Sequence, residues 1–419
     1  MNRKPLIFII GNAMEFYDFM VFAFFTPLIG SLFFPSKDPF SSLLFGLTML
    51  ASAFIARPMG GILFGHLGDI FGRKFSLIFS LSIMAISTFG IGILPTVQEI
   101  GFIAPFLLFL LRFIQGLSAG GEYGGVAVLL MEVAPPQRRS FWGSFVPLSC
   151  GIGALLAACI SSFLHNPSFP LWSWRIAFII GGGIGFLALL MRLKVSESQE
   201  FEKLLSQNEL NRKKSDFTPF ITILKHHSKS FWETFLISSF HSCLIVMSFM
   251  YINIYLNQNL NIPMEISIFY NQFSLISFIL SVLLLGYFSD TFRKEWFMKF
   301  ITGLVVLFSY PIFLSLNQGT SFSIILAECL LGMLTGAYAA CNNGYVYNLF
   351  PTEVRVSGIG IGYSLGMAAI GSTTPIICSL LINKFNNPMM PAIFLSVIGM
   401  IVLLVGSLHK SHKKQAAFS

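Results

Sequence analysis

Glu15 and Asp18 stand three residues apart in an apolar run near the start of the chain, and Arg112, Gln115, Ala119 and Glu122 follow i, i+3, i+7, i+10 spacing in another. At helical pitch each set lies on one face, so each run presents a stripe of ionisable or amide groups. Such groups are expensive inside a membrane and face a partner or a wet cavity. A carboxylate there feels two opposed forces: desolvation favours the neutral acid, and a nearby guanidinium favours the anion. A group balanced between them can take up and release a proton as a cavity opens and closes. That is the chemistry expected of Asp18, Glu15 and Glu122 with Arg112. The competing reading is a static buried ion pair, and Glu122 has the further alternative of packing beside Gly120 and Gly121.

Arg57 and Arg175 are candidate substrate anchors, because a guanidinium can grip a carboxylate with two parallel N–H bonds. Helix packing or gating is the alternative for Arg57, and loop tethering for Arg175, which lies near one end of its segment. Tyr17 and Gln115 stand beside the acidic and basic stripes and join the substrate-binding set. In the second half His241, Glu328, Tyr338 and Asn342 could complete the cavity. Asn342 and its neighbour Asn343 cannot share a face, so only one of them is expected to touch substrate. The six cysteines lie in apolar runs without a CxxC or His-containing set, and read as small buried hydrophobes. Neither HExxH, nor GxSxG with partners, nor a P-loop occurs, so no metal, cofactor, hydrolysis or ATP-driven pumping is expected and the chain is not read as an enzyme.

Such stripes need spanning helices to hold them. The chain is 55% hydrophobic and 11% charged, with 47 Phe, whereas a soluble domain carries about 25% charged residues. Apolar stretches of about 20 residues read as spanning helices. Twelve are expected, roughly at 5–34, 42–66, 75–95, 101–131, 141–164, 173–193, 231–257, 264–288, 296–316, 321–348, 357–383 and 390–408. The first has no small-residue cleavage site and reads as a retained span. Basic residues set the orientation. Arg3, Lys4, Arg73, Lys74, Arg138, Arg139, Arg192, Lys213, Lys294, Arg355 and Lys413 all fall on the side of the two termini, and only Lys37, Arg175 and Lys384 on the other. Both termini are therefore expected in the cytoplasm of a cell with a bacterial-type inner membrane. The net charge of +8 follows from this bias. It does not indicate nucleic acid, since no aromatic-basic patch accompanies it.

The spans form two copies of one unit. The fourth span's Gly120, with Pro135 and Arg139 beyond it, recurs 216 residues later as Gly336, Pro351 and Arg355, and Glu328 falls on Arg112. The polar loop Gly65-His66-Leu67-Gly68-Asp69-Ile70-Phe71-Gly72-Arg73-Lys74 recurs as Gly286-Tyr287-Phe288-Ser289-Asp290-Thr291-Phe292-Arg293-Lys294. Parallel six-helix repeats place a site between them near the midplane. The expected fold is an all-α integral membrane protein with twelve helices in two pseudo-symmetric six-helix bundles. Residues 1–194 would form the first bundle, 195–228 a polar linker, 229–408 the second bundle and 409–419 a short basic tail.

The Gly65…Asp69…Gly72-Arg73-Lys74 loop resembles the signature of the major facilitator superfamily. Gly11–Phe19, Arg57-Pro58-Met59-Gly60-Gly61, Arg112–Gly116 with Gly120–Tyr123, Trp172–Ile176 and Phe350–Arg355 resemble its metabolite:proton symporter branch, which includes proline/betaine, shikimate and α-ketoglutarate carriers. The chain departs from the pattern at Ile70, at Ala177 and in the second loop, which lacks a glycine before Arg293. The short tail leaves no room for the coiled-coil extension of some osmosensing carriers, so activation by that route is not expected.

The resemblance implies proton-coupled symport of a small organic solute by alternating access, with a drug/proton antiporter or exporter as the alternative and a transporter-derived sensor as a more distant one. It implies an Asp18–Arg112 coupling pair. It also implies a gate of Gly65, Asp69, Gly72, Arg73, Arg139, Asp290, Arg293 and Arg355, in which Asp69 caps a helix N-terminus of the other half and is the stronger side. The implied partners are the solute, a proton and the lipid bilayer, with the chain acting as a monomer. Many cavity cations would favour an anionic solute, and a balanced cavity with aromatic residues a zwitterion or quaternary amine.

Overall fold

The computed structural model describes residues 6–71, 73–193, 219–291, 293–350 and 354–415, and within these all side chains except those of 6–8, 65, 66, 68–71, 73, 136, 219–222, 356 and 406–415. Helices dominate because a chain this apolar must satisfy its backbone internally once water is excluded. The first half contains α1 (Leu6–Phe33), α2 (Pro39–Phe71), α3 (Arg73–Gly92), α4 (Ile103–Val133), α5 (Arg139–Leu164) and α6 (Trp174–Leu193). The second contains α7 (Ser228–Leu260), α8 (Met264–Phe288), α9 (Lys294–Asn317), α10 (Ser321–Tyr347), α11 (from Arg355 to Phe385) and α12 (Met390–Gln415). Among the described residues eleven helices are long and apolar enough to cross a membrane, and the remaining one is apolar over Met390–Val405.

Local chemistry sets the ends. Asp38 precedes α2 and accepts from the Ser41 hydroxyl and from the Phe40 and Ser41 amides, which holds its carboxyl below the usual range. Asn261 and Asn386 take left-handed conformations where α7 and α11 stop, a role asparagine tolerates. The expected linker falls mostly outside the described residues, and its last part includes a helix at Pro219–His226.

The packing repeats. α2 lies against α4 as α8 lies against α10, α1 against α5 as α7 against α11, and α3 against α6 as α9 against α12. The halves meet where α5 runs beside α8 and α2 beside α11. Two matched pairs of glycines show why the repeat persists in sequence. A Cβ on Gly116 or Gly120 would sit 1.9 Å from the Ala53 carbonyl or 2.0 Å from that of Arg57 in α2. A Cβ on Gly332 or Gly336 would sit 2.1 Å from the Ser274 carbonyl or 2.6 Å from that of Phe278 in α8. Helices that approach this closely gain van der Waals contact where no hydrophobic force drives them together.

The halves differ in regularity. α7 contains a π-helical segment at Val246–Tyr251 and α11 another at Met367–Gly371, followed by a turn before Thr374. Their counterparts α1 and α5 are continuous, each with one internal proline, Pro27 and Pro147. π segments in membrane helices mark bends and frequently functional sites.

Candidate functional site

The three-residue spacing on α1 points Glu15 and Asp18 at different arginines. Glu15 pairs with Arg57 of α2, and Asp18 Oδ2 lies 3.7 Å from Arg112 Nη1 of α4. The Asp18 and Arg112 side chains are 0% exposed. Arg112 Nη1 also donates to Gln115 Oε1 at 2.9 Å, and Gln115 Nε2 donates to Thr88 Oγ1 of α3 at 2.9 Å. Phe19 links the two pairs, with its ring centroid 4.5 Å from the Arg57 guanidinium carbon and 5.1 Å from that of Arg112. Phe22 covers Arg112 from 4.0 Å. Stacking on a desolvated ring adds attraction to each cation beyond its carboxylate.

A third pair was not legible as such. Glu122 of α4 binds Arg192, the basic residue counted above among the loop charges of the terminal side. Arg192 is 1% exposed, and its Nη1 donates to the Leu77 carbonyl at 2.9 Å as well as to Glu122 Oε2 at 2.9 Å. Its position in the last turn of α6 disguised it, because hydropathy reads such a base as an interfacial anchor, while its long stem lets the head turn inward.

Several contacts cross between the halves. Arg57 Nη1 lies 2.8 Å from Met367 Sδ, the first residue of the π segment of α11. Tyr123 donates to Asn343 Oδ1 at 3.2 Å and stacks on Tyr363 of α11 at 4.2 Å with an interplanar angle of 3°. Asn343 Nδ2 donates to the Gly143 carbonyl of α5 at 3.1 Å. Asn342 turns the other way, and its Nδ2 lies 3.4 Å from His241 Nδ1 in α7. Tyr338 and Tyr363 flank the His241 ring at 5.9 and 6.3 Å. Tyr123 and Tyr363 were not singled out as site residues, since their pairing depends on how the two halves are rotated against each other.

Glu328 is the only fully buried acid among the described residues of α7–α12. Its Oε2 accepts from Asn271 Nδ2 of α8 at 3.1 Å, and the same nitrogen donates to the Ser248 carbonyl of α7 at 2.8 Å. Where Arg112 meets a carboxylate, its counterpart Glu328 meets an amide.

Two expected site residues stand apart from these groups. Tyr17 donates its hydroxyl to the Ala177 carbonyl of α6 at 2.8 Å, inside the first half. Arg175 donates to the Leu94 carbonyl at 2.8 Å, lies over Trp174 and sits 3.7 Å from Glu99. Glu99 accepts from the Thr96 amide and hydroxyl, which holds its exposed carboxyl below the usual range, with Arg175 a lesser contributor. This cluster ties a loop.

At the end of the helices that carries both termini, Asp290 accepts from the Ser140 amide at 2.9 Å and the Phe141 amide at 3.0 Å, capping the N-terminus of α5 from the opposite half. Free N–H groups and the helix dipole both favour an anion there. Arg139 and Arg355 lie over the Tyr347 ring at 5.7 and 4.0 Å, and Arg355 Nη1 donates to the Tyr347 hydroxyl at 3.0 Å. Arg293 is exposed just before α9. Of the first loop, Gly72 and the side-chain positions of Gly65, Asp69 and Arg73 lie outside the described residues. Among the described residues no group of three His, Cys, Asp or Glu side chains converges as a metal site would require.

The sequence profile of the Major Facilitator Superfamily matches residues 8–375. The chain belongs to this superfamily. It is a multi-pass membrane transporter and not an enzyme. It is 34% identical over 395 residues to the inner membrane metabolite transport protein YhjE of Escherichia coli, covering 92% of this chain and 89% of the relative. It is 31% identical over 407 residues to the glycine betaine/proline/ectoine/pipecolic acid transporter OusA of Dickeya dadantii, covering 95% of this chain and 81% of the relative. The structure resembles a partially occluded inward-open xylose transporter XylE of E. coli, with a TM-score of 0.74 at 18% identity over 96% of this chain and 95% of that one. At that identity the likeness concerns the superfamily fold.

Proposed function

We propose that the protein takes up a small zwitterion of the proline or betaine type together with a proton, by alternating access at an inner membrane with both termini in the cytoplasm. The observation that carries this reading is charge balance. Each of the three buried arginines, Arg57, Arg112 and Arg192, already has its own carboxylate, so the interior offers an anion no surplus positive charge. The nearby aromatic groups, Tyr123, Tyr363, Tyr338 and His241, suit the ammonium of a zwitterion. OusA, a glycine betaine/proline/ectoine/pipecolic acid transporter, agrees in substrate class.

Asp18 and Arg112 form the coupling pair. Protonation of Asp18 frees the Arg112 guanidinium for the solute carboxylate, and loss of the proton restores the pair for the empty return. Glu15–Arg57 and Glu122–Arg192 hold the surrounding helices. Asp290 at α5, with Arg139 and Arg355 on Tyr347, closes the cytoplasmic side, and Asp69 would form the stronger side of the same latch. Residues 1–194 and 229–408 move as the two bundles, joined by 195–228, in a monomer. Export by proton antiport is the second reading, and the gradient dependence of uptake separates the two.

The test is uptake of radiolabelled proline, glycine betaine and α-ketoglutarate into proteoliposomes, with and without an inward proton gradient. Zwitterion uptake should rise with the gradient and lose that dependence in Asp18→Asn. Preference for the dicarboxylate, or indifference to the gradient, would sink the reading.

A further inference from the structure

A cavity lies inside the second half, away from the seam between the halves, among α7, α9, α10 and α12. It occupies about 900 Å³ including the part open to the outside, and none of the three buried arginine–carboxylate pairs lines it. Its wall changes character with depth. Lys229 and Glu233 occupy the first two turns of α7, and Glu295 and Lys299 the first two turns of α9, so four charges ring the end nearest the termini. One turn further in, the α7 face becomes Leu236 and Ile237, α9 presents Met298 beside Lys299 and then Thr302, and α12 adds Val402 and its neighbours. Trp232, 57% exposed, stands at the rim, at the level where indoles anchor to a headgroup layer.

The charges are two bases and two acids, and they are already organised. Lys299 lies 3.4 Å from Glu295, and Tyr345 donates to Glu233. A purely anionic group entering here would meet two carboxylates, and a purely cationic one two ammonium groups. A headgroup bearing both signs meets a partner for each, with phosphate toward Lys229 and Lys299 and ammonium toward Glu233 and Glu295. The depth gradient adds a second requirement, since only an amphiphile has a hydrocarbon chain to follow the apolar wall. We infer that this cavity is a binding site for a phospholipid with a zwitterionic headgroup, oriented with one acyl chain between α7, α9 and α12. The bound chain would end near Tyr338, which lines the cavity and whose ring faces His241 on the other side. Occupancy therefore supports a wall of the central site without entering it.

The experiment uses the full chain, purified in detergent and exposed to equimolar phosphatidylethanolamine and phosphatidylglycerol, with retained lipid counted by native mass spectrometry. The protein should keep one phosphatidylethanolamine with about tenfold preference, equivalent to about 1.4 kcal/mol. Glu233→Gln/Glu295→Gln should abolish the preference, because only phosphatidylethanolamine carries the ammonium those acids would meet, and Val402→Trp should block retention by filling the apolar part. The double variant alters interfacial side chains only, so it remains readable if Val402→Trp does not fold. Equal retention of the two lipids, or retention of phosphatidylethanolamine unchanged by the double variant, overturns the assignment. Displacement of the lipid by free glycine betaine at the affinity seen in uptake also overturns it, by making the cavity a solute vestibule. Failure of proton-driven uptake would leave the lipid count unaffected, so the two proposals fall separately.

Discussion

Arg112 and Glu328 hold the same position in the two repeats. The first lies among three guanidinium–carboxylate pairs that join α1, α2, α4 and α6, and the second meets the side chain of Asn271. The regularity of the helices differs too, since the π segments are in α7 and α11 while α1 and α5 run on as α-helix. Burying opposite charges together gains modest net stability, but removing one member leaves an orphan that is very costly. The first half is therefore tied by contacts that cannot be loosened singly, and the second by contacts that can. The difference teaches that duplication here conserved the helix plan and the glycine contacts, while the tasks diverged. In the proposed mechanism the first half holds the proton chemistry, and the second yields around it.

The largest test of that contrast is to break one pair. Arg192→Met should cost about 3–5 kcal/mol, read as loss of thermal stability in detergent, and Glu122→Gln added to it should restore most of the loss. Glu328→Gln keeps a group able to meet the Asn271 amide and should cost about 1 kcal/mol or less. Equal losses would end the distinction between the halves. Next in size are the matched glycines. Gly116→Val and Gly332→Val should each destabilise by about 1–3 kcal/mol or more through overpacking, whereas Gly303→Ala, with open space around its Cβ position, should be silent. Similar losses at the two matched positions would confirm that the halves share their scaffold.

Asp290→Asn removes charge from the cap on α5 and should cost about 0.3–2 kcal/mol. The readout is faster thiol labelling of Ser144→Cys, because Ser144 faces Gly286 across the seam. Unchanged labelling would remove Asp290 from the gate. The smallest effect concerns the outer loops, where Glu99 binds the Thr96 amide and hydroxyl in the first half and neutral Thr320 caps α10 in the second. A carboxyl held below its ordinary value of 4.5 adds stability above that value and loses it as pH falls through the lowered one. Thr96→Val should flatten the acid limb of the thermal stability profile slightly, and Thr320→Val should not.

Periodicity and hydropathy placed every span, and the offset of 216 residues anticipated the paired glycines, because close helix contact tolerates only the smallest residues. The stripe at Arg112 and Gln115 was visible for the same reason. Partner choice was not. Three residues of spacing place Glu15 and Asp18 on one face, yet which arginine each meets depends on the rotation of α2 and α4 about their axes. Arg192 was hidden by its place at a helix end. Tyr17 looked like a cavity residue, but the α6 backbone takes its hydroxyl. The π segments left no trace in composition, since a local shift to i→i+5 hydrogen bonding is set by tertiary packing.

The pairing of buried charges also has an electrical consequence. Moving one elementary charge across the full membrane voltage is worth about 2.3 kcal/mol per 100 mV. Three matched pairs displace no net charge when the first half tilts within the field, so voltage has little hold on the empty carrier's return. With a neutral zwitterion carried alongside a proton, as proposed, the proton would be the main charge on which the potential does work. Solute accumulation should therefore follow the electrical gradient as well as the pH difference, even when the two sides are held at the same pH.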